Sequence, residues 1–232
     1  GVTCEELSSE QVSFPVIYHF SDLRANILNW YPIKKSDSVL EIGAGCGAIT
    51  GTLCERAGQV TSVELSKRRA QINYYRNEKK DNLTIMVGNL NDMNLGQQYD
   101  YVVVNGVLEY AMSFTEGDTP YETFLGKMGS YLKNTGKLLI AIENKLGMKY
   151  FAGAPEDHTD IPFFGINGYP ENHSVRTFSK TELQELVKKS GFPFQKFYYP
   201  YPDYKFPTEI FTDASLTTNH YGKNYPIYTD KT

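Results

Sequence analysis

The sequence predicts an α/β fold: a doubly wound, mostly parallel sheet with helices on both faces and an aromatic-rich insertion over its C-terminal edge. Two observations carry this. Short apolar runs alternate with helical patterns along the chain, the signature of a parallel sheet wrapped by helices. The run Val39-Leu-Glu-Ile enters a glycine-packed turn, Gly43-Ala-Gly-Cys-Gly47, and leaves it as a helix start, the strand–turn–helix order of a ligand-binding βα unit. A chain of 232 residues buries one good core and suits a single α/β domain.

Candidate strands lie at 39–42, 60–63, 83–87, 101–104, 138–142 and 194–199. A helix around 18–29 precedes the first strand and ends before Tyr31-Pro32. A helix over 49–56 follows the glycine turn, and one over 67–79 follows Ser66 as its cap. One over 121–133 follows Pro120 and stops before Asn134-Thr-Gly136, and Ser179-Lys-Thr-Glu182 reads as a capping box opening a helix that ends at Gly191. The expected organisation is one domain, 1–232. It has a helical segment over 1–35, a ligand-binding core over 36–142, an insertion over 143–178, and a C-terminal helix, strands and tail over 179–232.

The insertion is rich in Gly, Pro, Phe and Tyr and lacks periodicity. A loop this long is uncommon unless it is functional or disordered, and its aromatics argue against disorder. It begins at the carboxyl end of a strand, where open α/β sheets bind ligands, so it is expected to cap the active site. The last twenty residues show no periodicity and read as an arm, a fraying end or part of a longer parent protein.

The net charge of −4 provides no basic field for nucleic acid, and the runs Lys67-Arg-Arg69 and Lys79-Lys80 read as a solvated helix face. No nucleic-acid partner is expected. Three cysteines without a CxxC pair point to a reducing compartment. With neither a signal peptide nor an apolar run near eighteen residues, the chain is expected to be cytoplasmic, without membrane insertion.

Glycines at 43, 45 and 47 let the backbone bend tightly and let a ligand approach the main chain. Gly43, Gly45 and Ala48 also fit the dinucleotide form of the turn, so the glycines alone do not name the cofactor. Glu41 tips the choice: its carboxylate would repel a pyrophosphate but suits the ammonium of a methionine moiety, which makes S-adenosylmethionine the expected cofactor. Val60-Thr-Ser-Val-Glu64 ends in an acid about twenty residues beyond the first glycine, where a carboxylate accepts both hydroxyls of a ribose, and Leu65 follows it. Asn89 and Leu90 end the third strand, placed to meet an adenine amino group and ring, although Asn89 also reads as a turn asparagine. Asn105 and Glu109 end the strand near 101–104 and should line the pocket floor.

These residues, in order and spacing over about 36–145, resemble class I S-adenosylmethionine-dependent methyltransferases. The resemblance implies a Rossmann-like sheet of seven strands with the last antiparallel, the missing one supplied near Ile210-Phe211. It also implies that Glu41, Gly43, Ala44, Gly45 and Gly47 hold the methionine end, Glu64 with Leu65 the ribose side, Asn89 and Leu90 the adenine, and Asn105 with Gly106 the methionine backbone. The family often has Asp where this chain has Asn89. Two further stretches, Ile142 to His158 and Tyr198 to Pro207, are similar to methyltransferase domains that accompany glycosyltransferases in bacterial surface-polysaccharide synthesis. That resemblance implies a sugar hydroxyl or related glycan acceptor, with a glycosyltransferase as partner or fused domain.

Methyl transfer is an in-line displacement, so the protein aligns the acceptor and excludes water, and a sugar hydroxyl also benefits from a general base. His158 is the first candidate base, since an unperturbed imidazole titrates near neutrality. Glu156-Asp157 would orient it or stabilise the imidazolium, and His173 and Glu109 are the further candidates. Tyr198, Tyr199, Tyr201 and Tyr204, set among prolines, form an aromatic strip on which a sugar ring would stack. No His/Cys/carboxylate cluster has metal-site spacing. Asn105 is followed by Gly-Val-Leu where amino-methylating enzymes of DNA bases carry Pro-Pro and an aromatic. A nicotinamide-dependent oxidoreductase and a non-catalytic module of a glycan-assembly complex are the rival readings.

Overall fold

The computed structural model describes residues 13–170 and 174–217. Cys4, His173 and the tail beyond 217 lie outside the described residues. Five strands form one parallel sheet: β1 Ser38–Ile42, β2 Gln59–Glu64, β3 Leu83–Val87, β4 Tyr99–Asn105 and β5 Leu132–Ala141, in the order β3-β2-β1-β4-β5. The four Val39–Ile42 positions of β1 are buried, as an inner strand with both faces covered requires. Strand order reverses between β1 and β4, both of which run parallel to their neighbours. A crevice therefore opens at the carboxyl ends of β1 and β4, where the glycine turn and Asn105 lie.

The helices are α1 Phe14–Phe20, α2 Asn26–Asn29, α3 Thr50–Arg56, α4 Lys67–Arg76, α5 Ala111–Phe114, α6 Pro120–Ser130, α7 Met148–Phe151, α8 Lys180–Lys189 and α9 Asp213–Thr217. Several begin where their caps predict. The Ser66 hydroxyl accepts from the Arg69 amide, and Ser179 with Glu182 forms both halves of a capping box. The predicted first helix is instead α1, a 3₁₀ turn over Asp22–Ala25, and α2.

Each face of the sheet carries its own core. On one, Phe124, Leu125 and Met128 of α6 and Leu186 and Val187 of α8 pack on Leu40, Val102 and Val104. On the other, Leu28, Leu53 and Cys54 pack on Val39, Val60 and Val103. Each fully buried side chain of this size contributes about 1.5–3 kcal/mol.

Among the described residues the sheet has five strands, where seven were expected. The stretches near 198 and 210 do become strands, β6 Tyr198–Tyr201 and β7 Glu209–Thr212, but they pair only with each other, antiparallel. Pro200 within β6 has no N–H to donate, which suits a two-stranded ribbon and not the interior of a ladder. The predicted strand start at Phe194 lies outside β6 with its ring 96% exposed. The loop joining β6 to β7 is clamped by the N-terminal segment, through Arg24 Nη1 to the Lys205 carbonyl at 3.2 Å and Asn26 Nδ2 to the Pro207 carbonyl at 2.9 Å. This clamp fixes Tyr204 and Lys205 near the crevice.

Segment 143–178 leaves β5 and returns beside its own start: Asn144 and Phe178 form a parallel bridge, and the Lys145 amide donates to the Phe178 carbonyl. Within it, Asp160, Phe163 and Tyr169 hold positive φ of 57°, 62° and 57°. A bulky residue there is strained by about 1–3 kcal/mol, and such strain concentrates at functional sites.

Candidate active site

The glycine turn is built from two kinds of glycine. A Cβ on Gly43 would lie 2.4 Å from Val107 Cγ2, and one on Gly47 would lie 2.2 Å from Asn73 Oδ1, so these two permit close packing. At Gly45 an added Cβ would meet nothing within 4 Å, leaving bare backbone open to a ligand. The Glu64 carboxylate accepts from the Gly45 amide at 2.8 Å and from the Ser66 amide at 2.9 Å. It thereby ties the turn to the end of β2. Beside it Leu65 is 62% exposed, an apolar surface suited to an aromatic ring.

Three expected cofactor residues are engaged within the fold. Glu41 is 1% exposed and lies beneath the turn, where Oε2 accepts from Thr50 Oγ1 at 2.7 Å and Ser62 Oγ at 2.5 Å. Thr50 accepts in turn from Asn73, and Asn73 from Asn77. Burial pushes the Glu41 pKa up. Through Oε2 the side chain braces β1, β2, α3 and α4, while Oε1 is buried and keeps no partner. Asn89 forms the turn that was its alternative reading: Oδ1 accepts from the Asn91 amide and Nδ2 donates to the Phe114 carbonyl. Leu90 is 6% exposed and packs in the core.

Beyond β4, Gly106 has φ +67°, and a Cβ there would lie 2.9 Å from the Tyr204 hydroxyl and 3.5 Å from Glu109 Oε1. The buried Asn105 Oδ1 has no partner. Glu109 follows on a 3₁₀ turn, 1% exposed, its carbonyl accepting from the Arg176 amide. His158 reaches it from segment 143–178: Nε2 stands 3.7 Å from Glu109 Oε1, while Nδ1 lies 2.9 Å from Glu156 Oε1. Glu143, just past β5, is paired with Lys205. One atom each of Glu109, Glu143 and His158 fall within 4.8 Å of one another. The second oxygens of Glu109 and Glu143 are buried without partners.

The electrostatics correct the base expected at His158. Burial disfavours the charged ring, but the Glu109 carboxylate 3.7 Å from Nε2, the Glu156 carboxylate bonded to Nδ1 and the field of Glu143 outweigh it and raise the pKa to about 10. At neutral pH such a ring is an imidazolium and has no lone pair for a proton. Burial, with Glu143 beside it, raises Glu109. Glu156 orients His158 as expected and also accepts from the His158 and Thr159 amides and the Tyr169 hydroxyl. Asp157 does not orient it. Despite burial, Lys205 and Lys149 lower its pKa to about 2, and it bonds to the Tyr150 hydroxyl and Lys149.

The tyrosine strip is divided. Tyr198 packs on Trp30, Tyr199 bonds Lys180 and Asp213, and Tyr204 alone, 6% exposed, reaches Gly106. Glu143 and Lys205 were not singled out in the sequence. Glu143 carried a positional signal, the carboxyl end of a strand, whereas Lys205 carried none.

An open glycine turn after β1, an acid closing β2 and the sheet order 3-2-1-4-5 define a class I S-adenosylmethionine-dependent methyltransferase fold, and S-adenosylmethionine is the cofactor of that class. The comparisons agree. Residues 21–135, just under half of the chain, match the family model of ribosomal RNA adenine dimethylase. The chain is 55% identical over 40 residues to a probable ribosomal RNA small subunit methyltransferase A of Pyrococcus furiosus, covering 17% of this chain and 15% of that relative. It is 33% identical over 81 residues to the like-named protein of Methanosarcina acetivorans, covering 35% and 29%. The matches thus span less than a third of either curated relative. Among solved structures, a putative methyltransferase from Bacillus halodurans aligns with TM-score 0.55 at 16% identity over 80% of this chain and 77% of that one. Phosphoethanolamine N-methyltransferase 1 of Haemonchus contortus, solved with phosphoethanolamine and S-adenosylhomocysteine, aligns with TM-score 0.52 at 20% identity over 70% and 32%. These likenesses are of fold.

The expectation of no nucleic-acid partner is overturned, because both curated relatives are named for ribosomal RNA. No helix among the described residues is long and apolar enough to cross a membrane.

Proposed function

We propose that this chain, acting in the cytoplasm, transfers the methyl group of S-adenosylmethionine to a hydroxyl of a sugar or glycan precursor. Gly43 to Gly47 would hold the methionine end with Asn105 and Gly106, Glu64 the ribose, and Leu65 the adenine side. Segment 143–178 would close over the acceptor. The observation that carries this reading is the pair of buried carboxylates brought together at the crevice, Glu109 and Glu143, each with one oxygen without a partner, and Asn105 Oδ1 at the end of β4 is a further buried acceptor without one. A polyhydroxyl substrate brings the donors that such atoms lack. The family match ends at residue 135, whereas Glu143, Glu156, His158, Tyr204 and Lys205 all lie beyond it. The acceptor is therefore argued from this chain's own residues.

In the reaction the acceptor oxygen attacks the methyl carbon, the carbon–sulfur bond breaks with its electron pair passing to sulfur, and the acceptor proton passes to Glu109. Burial raises the proton affinity of that carboxylate, which suits it to the task. His158, as the imidazolium, would donate to Glu109 and hold it in place. The products are a methyl ether and S-adenosylhomocysteine.

A second reading is favoured by the ribosomal RNA relatives and by α4, which exposes Lys67, Arg68 and Arg69 together with Tyr74 and Tyr75. Cationic and aromatic side chains on one helix suit phosphates and unstacked bases. One experiment separates the two. The purified chain is given labelled S-adenosylmethionine with nucleotide sugars and glycan precursors in one arm and small-subunit ribosomal RNA in the other. Label in the sugar fraction that disappears in Glu109→Gln supports the first reading, and label in RNA alone replaces it with the second.

A further inference from the structure

The geometry points to a divalent-cation site formed by Glu109, Glu143 and His158, of the kind that takes Mn²⁺ or Mg²⁺. The three ligands come from the turn after β4, the end of β5 and segment 143–178, so only the folded chain assembles them. Each offers one atom within 4.8 Å of the others, and small side-chain rotations bring such atoms onto one ion at bond lengths of about 2.0–2.3 Å. Carboxylate oxygens are ligands that suit these metals, and coordination through Nε2 would displace the proton that His158 carries in the metal-free chain.

Two independent observations indicate that something is bound there. Glu109 and Glu143 are 1% and 5% exposed, yet each keeps one buried oxygen without a partner. Removing such an atom from water without a partner is costly, most of all for a charge. The surrounding charge does not balance either. Among the described residues, the carboxylates of Glu109, Glu143, Glu156, Asp157 and Asp203 pair with the cations Lys149, Lys205 and His158. A divalent cation removes most of this excess.

The outer partners are in place. His158 Nδ1 is held by Glu156, leaving Nε2 toward Glu109 and Glu143, and Glu156 is itself fixed by Tyr169 and two backbone amides. A carboxylate behind a metal-binding histidine sets its tautomer and orientation. Lys205 occupies one oxygen of Glu143 and leaves the other. Three protein ligands leave coordination positions for an acceptor oxygen, and a cation there acts as a Lewis acid that makes the hydroxyl easier to deprotonate. That role rests on the methyl-transfer reading, whereas the binding of the ion does not.

The test uses the full chain freed of metal by chelation, titrated with Mn²⁺ by electron paramagnetic resonance, with S-adenosylhomocysteine binding measured in parallel. One Mn²⁺ per chain, displaced by Mg²⁺ and showing nitrogen modulation from an imidazole in the pulsed spectrum, is expected. Glu143→Gln should abolish the site, and Glu156→Gln, which touches no ligand atom, should weaken it by about 10–100-fold. No Mn²⁺ at millimolar concentration, a bound ion without nitrogen modulation, or affinity unchanged in Glu143→Gln would overturn the site. S-adenosylhomocysteine binding shows which variants are folded. Its loss in the unaltered chain beside intact Mn²⁺ binding would sink the methyltransferase reading and leave the cation site standing.

Discussion

The two sides of the crevice are built by different means. On the cofactor side, short loops at strand ends do the work: bare backbone at Gly45, amides of Gly45 and Ser66, and one carboxylate, Glu64, whose partners lie within a few tens of residues. On the acceptor side, charged side chains from the turn after β4, the end of β5, segment 143–178 and the β6–β7 loop converge on Glu109 and Glu143. Backbone geometry repeated at strand ends tolerates wide sequence change and keeps one ligand. A side-chain cluster drawn from distant segments is specific to its chain. The family match, residues 21–135, takes in the glycine turn, Glu64 and Glu109 and ends before Glu143.

The contrast breaks first at Glu109. Glu109→Gln keeps the shape and removes the proposed base, and turnover should fall by about 10²–10⁴-fold while calorimetric affinity for S-adenosylhomocysteine is unchanged. Loss of cofactor affinity in that variant would mean that the two sides are one unit. Next is Lys205→Met, which leaves the buried Glu143 without its cation. Denaturant unfolding should show about 3–5 kcal/mol of destabilisation, and a change below 1 kcal/mol would demote the acceptor-side cluster to a surface network.

Gly43→Ala probes the other side. Its φ of +66° and its closeness to Val107 predict about 1–3 kcal/mol of strain and weaker S-adenosylhomocysteine binding, read by calorimetry. Unchanged affinity would remove the glycine turn from the site. The last is a pH effect. Lys205 and Lys149 depress Asp157 to about 2, so the stability it contributes is present above its unfolded pKa near 3.8 and is lost as pH falls through about 2. Asp157→Asn should thus cost about 2 kcal/mol at pH 5 and close to nothing at pH 2. A difference that persists at pH 2 would show that packing, and not charge, joins Asp157 to its lysines.

The same contrast explains what could be read from sequence. β3 falls at the predicted bounds and α8 at its predicted cap, because apolar runs and capping boxes are local signals. The three turn glycines were legible for the same reason. At Glu41 sequence does not show that Ser62, its register partner on β2, and Thr50 at the start of α3 would both bond one oxygen of its carboxylate, Oε2, and leave Oε1 without a partner. The cofactor it was used to choose is nevertheless that of the fold. His158 was found as a residue but not as a chemical state, since its pKa depends on Glu109 and Glu143, which folding brings from far along the chain. Lys205 was invisible because its partners are all set by tertiary structure. β6 and β7 carried strand composition, and only Pro200 hinted that they would stand apart from the sheet.

The parallel bridge between Asn144 and Phe178 has a consequence for descent as well as for shape. A segment whose two ends leave and rejoin the scaffold side by side can be lengthened, shortened or replaced at a closure cost that grows only slowly with length. No strand need move. Replacing 145–177 while retaining the bridge exchanges Glu156 and His158 together and leaves Gly45, Glu64 and Glu109 where they are. On the proposed reading, exchanging this one segment would alter the acceptor contacts and leave the glycine turn untouched.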